Sequence, residues 1–187
     1  IMSKSVILIP SRLSATRLPG KPLLKINGVS IISQVFKKAK EADIGEVYVA
    51  TEDKEILDDV KLNGGKAILT SNKHKTGSDR IYECYERLDL KNIEYIINLQ
   101  GDEPNIDIND LRHLKNLIVT NKTEIGTLAA EIEDQSKIND ENVVKVITDK
   151  KITNENFTNA IDFKRKLKDL NLNVYHHIGV YAYKPEI

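Results

Sequence analysis

The first apolar positions of the chain are consecutive. Val6, Ile7, Leu8 and Ile9 form an unbroken run, the pattern of a strand covered on both faces, and Pro10 is expected to stop it. The period then changes. Over Ser30–Glu41, Ile31, Ile32, Val35, Phe36 and Ala39 form one helical stripe. Glu46–Thr51 reads as a short strand, and Asp53–Asn63 as an amphipathic helix ended by Gly64–Gly65. Lys66–Thr70 is a third strand, Arg80–Leu88 a helix, and Glu94–Leu99 a fourth, strongly apolar strand broken by Gln100–Pro104. Ile108–Asn121 is a helix capped near Asp107 or Asn109. This rhythm predicts a doubly wound, three-layer α/β fold with a mainly parallel sheet. From about Thr123 the rhythm changes to strands: Gly126–Glu133, Asn142–Thr148 and Val174–Tyr183. Between the last two, a weak helical signal lies around Ala160–Leu170. The expected organisation is a single domain over 1–187, with a nucleotide-binding core of about 1–122 and a strand-rich extension of about 123–187.

Composition narrows the classes. A chain of 187 residues suits one domain with a sizeable core. Its 28 basic and 28 acidic residues cancel, which argues against a nucleic-acid binder and makes any anion site local. Cys84 is the single cysteine, so neither a disulfide framework nor a cysteine-based metal site is expected; helical spacing places it in or near the core. No apolar stretch is long enough to span a membrane. Ile1–Met2–Ser3–Lys4 and the short run after it do not read as a secretory leader, so the expected compartment is the cytoplasm.

The candidate chemistry follows strand ends, where ligands sit in open α/β sheets. Arg12, Arg17 and Lys21 crowd the loop leaving the first strand, with Pro19, Gly20 and Pro22 shaping its backbone. Fixed cations in such a loop suit a polyanion such as a triphosphate. The loop matches neither a P-loop nor a dinucleotide fingerprint. Gln100–Gly–Asp–Glu–Pro104 puts Asp102 and Glu103 after a buried strand. That placement suits either a helix cap or an Mg²⁺ ligand beside phosphates. His74–Lys–Thr–Gly–Ser–Asp–Arg80 is weak on its own, since Ser78 or Asp79 serves equally well as a helix cap. His176 and His177 are adjacent on a strand and face opposite ways, which favours structural or substrate contacts over zinc. Tyr181, four positions on, shares a face with His177.

Together these stretches, with Asn142–Val–Val–Lys–Val146 and His177–Ile–Gly–Val–Tyr–Ala–Tyr183, resemble the 3-deoxy-manno-octulosonate (Kdo) cytidylyltransferase family over nearly the whole chain. The resemblance implies CTP and Kdo as substrates, CMP-Kdo and pyrophosphate as products, Mg²⁺ as cofactor and a role in lipopolysaccharide biosynthesis. It also implies a homodimer, with the extension as interface. By motif, Arg12, Arg17 and Lys21 would hold the triphosphate and Asp102 the Mg²⁺. Ser78 and Arg80 would lie near the cytidine, and Gln100, His177 and Tyr181 would contact the sugar acid. The alternatives are a cytidylyltransferase for another sugar acid, amino-Kdo or sialic-acid-like, and a non-catalytic CTP-binding homologue. Two departures from the family pattern stand out. An aromatic–Ser–Arg stretch followed by Ile–Pro is missing after Val146. A further aspartate for a second Mg²⁺ is expected from sequence beyond Tyr183. The sequence is accordingly expected to be truncated or to omit segments of the full protein.

Overall fold

The computed structural model describes residues 4–14, 18–102, 104–168 and 173–187. The chain divides into two compact units, Ile1–Ile125 with Val180–Ile187, and Gly126–Gly179. Among the described residues, no helix is long and apolar enough to cross a membrane.

The first unit is built on β1 (Ser5–Ser11), every residue of which is buried. A 3₁₀ turn (Lys21–Leu23) and a small hairpin, β2 (Lys25–Ile26) with β3 (Val29–Ser30), lead into α1 (Ile31–Glu41). Then follow β4 (Glu46–Thr51), α2 (Lys54–Leu62), β5 (Ala67–Leu69), α3 (Gly77–Leu88), β6 (Tyr95–Leu99) and α4 (Ile108–Asn121). The strands lie in the order β5-β4-β1-β6, all parallel, as alternating strands and helices require. Beyond β6 lies the end of β10 (Asn173–Tyr183), antiparallel, with Val180 opposite Leu99 and Tyr183 opposite Ile96. Alternation along β1 sends Val6 and Leu8 to one face, where they pack with Ile81 and Cys84 of α3. Helix α1 contacts both α2 and α4, and also packs on β1 and β4. The doubly wound sheet expected from the pattern is present.

Pro10 does not stop β1, contrary to expectation. Its strand continues to Ser11, but beyond Leu8 it pairs with β4 alone. That one-sided setting tolerates a residue without an amide hydrogen. Expected helix starts hold where a cap fixes them. Ser30 accepts the Ser33 amide ahead of α1, and Asp107 accepts the Asn109 amide ahead of α4.

The second unit contains β7 (Ile125–Ala130) from Gly126 onward, the single helical turn α5 (Ser136–Asn139), β8 (Lys145–Thr148), β9 (Ala160–Lys164) and the start of β10. β8 lies antiparallel between β9 and residues Asn173–His176 of β10, and β7 also pairs with β10. The helical signal read around Ala160–Leu170 is corrected: Ala160–Lys164 is a strand. Its Ile161 and Phe163 alternate with Asp162 and Lys164, and pairing to β8 outweighs the weak helical preference. Lys145 is fully buried, and its ammonium donates to three carbonyls, those of Asp140, Val143 and Arg165. It thereby ties the β8 approach to the end of β9 with its charge hydrogen-bonded.

Candidate active site

The C-terminal ends of β1 and β6 and the loop after β5 enclose one cleft in the first unit. Arg12 and Lys21 line it from the β1 side, Gln100, Gly101 and Asp102 from the β6 side, and His74–Gly77 with Arg80 from the third. Three of the strand-end segments where a ligand is expected, after β1, β5 and β6, thus meet here, while Thr51–Asp53 after β4 is not in the lining.

Each wall has a local cause. The loop after β1 is closed by the Gly20 amide donating to the Leu13 carbonyl at 3.0 Å, with Gly20 at φ 77°, a conformation glycine adopts without strain. Asp53 precedes α2 but makes no side-chain cap there; its carboxylate instead accepts the Leu13 amide at 2.8 Å. A residue placed to start a helix thus anchors the cationic loop across 40 positions. At the β6 end, a Cβ on Gly101 would lie 3.0 Å from the Pro10 carbonyl oxygen and 3.1 Å from Ile32. The close approach of the two strand ends therefore depends on glycine. Lys21 Nζ stands 3.9 Å from Asp102, both partly exposed at 38% and 61%, so the pair is weak and available to a ligand.

The third wall is fastened from α3. Thr76, rather than Ser78 or Asp79, caps this helix. Its hydroxyl accepts the Asp79 amide at 3.1 Å and donates to the Asp79 carboxylate at 2.7 Å. Ser78 is therefore carried into the exposed first turn, and it is absent from the cleft lining. Arg80 is buried. It donates to the Thr70 hydroxyl at 2.5 Å and the Ser71 carbonyl at 3.2 Å, and lies 3.6 Å from Glu52. One turn on, Glu83 accepts the Ser71 amide at 2.9 Å, bonds His74 Nε2 at 2.5 Å and pairs with Arg87 at 2.6 Å. Burial alone would raise the Glu83 carboxyl, but hydrogen bonds from His74, the Ser71 amide and Arg87 outweigh it and bring it to about 2. Glu52 and Glu83 escaped sequence reasoning. The one available signal was for Glu83, three positions after Arg80 and on the same helix face; Glu52 meets Arg80 only through the fold.

Tyr181 and His177 are not among the residues that line this cleft. Arg17 lies outside the described residues, as does Glu103. Tyr181 sits on β10 opposite Asn98, partly buried, and burial raises its phenol. His177 belongs to the second unit. There Nε2 lies 2.9 Å from the Thr127 hydroxyl, and the ring stacks edge-on to Phe163 at 5.0 Å. Burial, and then the charge of His176, lower the His177 ring.

Among the described residues no group of three or more His, Cys, Asp or Glu is placed to hold a metal by itself. Asp102 on the cleft wall still suits Mg²⁺, which takes one or two carboxylates and fills its shell with phosphate oxygens and water.

The parallel sheet and a cleft with cations on one strand end and a carboxylate on another define the class: an α/β protein with a charged cleft at its strand ends. A family model described as Cytidylyltransferase matches residues 6–187. A 3-deoxy-manno-octulosonate cytidylyltransferase of Afipia carboxidovorans is 42% identical over 182 residues, covering 96% of this chain and 73% of that protein. Another, of Rhizobium etli, is 37% identical over 185 residues, covering 98% and 73%. The solved structure of a CMP:2-keto-3-deoxy-manno-octonic acid synthetase complexed with CTP aligns with a TM-score of 0.85 at 33% identity, covering 98% of this chain and 75% of that one. The chain belongs to the cytidylyltransferase family, and within it to the 3-deoxy-manno-octulosonate cytidylyltransferases.

Proposed function

We propose that the protein transfers the cytidylyl group of CTP to Kdo, giving CMP-Kdo and pyrophosphate for lipopolysaccharide biosynthesis. The observation that carries this reading is the cleft lined by Arg12, Lys21, Gln100 and Asp102, in a chain whose relatives bear that name. The anomeric hydroxyl of the sugar acid attacks the α-phosphorus in line. An O–P bond forms, the bond to the β-phosphate oxygen breaks, pyrophosphate leaves and the hydroxyl proton passes to water. Arg12 and Lys21, with Arg17 from the sequence pattern, offset charge on the phosphate oxygens and orient them. The loop fastened by Arg80 backs the cytidine side, with Ser78 at its helix start. Gln100, His177 and Tyr181 are assigned to the sugar acid. Asp102 would hold Mg²⁺, which neutralises phosphate charge when bound. No covalent enzyme intermediate is involved.

The same reading makes the protein a cytoplasmic homodimer. Sedimentation of the full chain tests the dimer. Pyrophosphate release tests the reaction: CTP with Kdo yields it, and CTP alone does not. Release with amino-Kdo or a sialic acid but none with Kdo would move the assignment to another sugar acid. No release with any sugar acid would leave a CTP-binding homologue.

A further inference from the structure

His74 lines the cleft that also holds Arg12 and Lys21, and the assignment above gives it no task. Its ring is held from outside the cleft: Nε2 lies 2.5 Å from Glu83. The same carboxylate accepts the Ser71 amide and pairs with Arg87. With three such partners Glu83 is ionised at neutral pH, and a carboxylate only accepts. The proton of the His74–Glu83 bond therefore sits on Nε2, and in the neutral ring Nδ1 keeps its lone pair. Nδ1 is then the acceptor of a ring that lines a cleft whose charged groups are mostly donors. Phosphate oxygens, acceptors themselves, gain nothing from it. A bound nucleotide has suitable donors only in its nucleoside part, the ribose hydroxyls and the base amino group.

We propose that Glu83 fixes the tautomer of His74 and that Nδ1 then takes a hydrogen bond from the nucleoside part of the nucleotide. His74 is a specificity contact and Glu83 a positioning residue. The inference rests on the reading of the cleft as a CTP site.

The test measures affinities of the full chain at pH 8 for CTP and for inorganic tripolyphosphate, with ring ¹⁵N shifts of His74. In the wild type the shifts should report the Nε2–H tautomer, and Glu83→Gln should move them toward Nδ1–H. His74→Phe should weaken CTP about tenfold while leaving tripolyphosphate within about twofold, and Glu83→Gln should do the same. The tripolyphosphate arm doubles as a check that each variant is folded, and His74→Phe stands alone if Glu83→Gln fails that check. UTP and 2′-deoxy-CTP identify the donor: whichever of them binds wild type and His74→Phe equally lacks it. Equal losses for CTP and tripolyphosphate, no loss for CTP, or an Nδ1–H ring in the wild type would overturn the proposal. Wild-type protein that binds tripolyphosphate but not CTP overturns the CTP reading and this inference with it. Wild-type protein that binds CTP as tightly as both variants overturns the inference alone.

Discussion

Arg80 offers the sharpest stability test, because its fork joins the Thr70 hydroxyl, the Ser71 carbonyl and Glu52. Its side chain is 3% exposed and that of Glu52 13%. Replacing it by methionine, Arg80→Met, keeps the volume of the stem and removes the guanidinium. Glu52 then loses its countercharge, and the Thr70 hydroxyl and Ser71 carbonyl lose their donor. Breaking a buried pair from one side costs about 3–5 kcal/mol. The Ser71 carbonyl borders a loop that water can reach, so the lower end applies, about 3 kcal/mol. For a chain of this size that is a fall in melting temperature of roughly 6–12 °C. Arg80→Lys, which keeps the charge but not the fork, should lose about half as much. A second substitution, Glu52→Gln, should cost little in the Arg80→Met background, because the stranded carboxylate is already the source of the loss. Thermal unfolding followed by circular dichroism reads all of these. Melting temperatures within about 2 °C of wild type for Arg80→Met would show that the fork does not hold this wall.

Gly101→Ala would push a methyl group against the Pro10 carbonyl and Ile32, and should cost about 1–3 kcal/mol in chemical denaturation. Glu83 is depressed to about 2, so the folded state binds its proton less readily than the unfolded chain. Its contribution is complete above the ordinary carboxylate range and is lost as pH falls toward about 2. Glu83→Gln should therefore flatten the slope of stability against pH in that window; an unchanged slope would remove Glu83 as its source. Burial, with a smaller push from the charge of Glu83, raises the Cys84 thiol to about 12. The native protein should resist a thiol-specific disulfide reagent that labels it once unfolded, and prompt native labelling would contradict the packing of α3.

Much of this was legible from residue order. The run Val6–Ile9 and the helical stripe of Ile31–Ala39 have one plausible partner each, a buried sheet and its covering layer. The convergence of loops followed from the parallel order of strands. What escaped depended on pairing across the chain. Ala160–Lys164 is too short to declare a period against its neighbours, and becomes a strand through β8. Thr76 wins the cap of α3 from Ser78 and Asp79 because Asp79 binds back to it, which no composition of hydroxyls and carboxylates reveals. Asp53 reads only as the start of its helix, and the Leu13 amide that its carboxylate accepts lies 40 residues away. Glu83 drew no reading, because the groups that hold it, His74 and the Ser71 amide, come from the loop after β5.

The central claim, that the β1 end of the cleft holds the CTP triphosphate, is tested most directly by calorimetric titration of CTP into wild type and into the double variant Arg12→Ala, Lys21→Ala. Each cation should contribute about 1.5–3 kcal/mol as a charge-assisted contact, so the pair should weaken binding at least about a hundredfold. Equal CTP affinity in the two proteins would contradict the account.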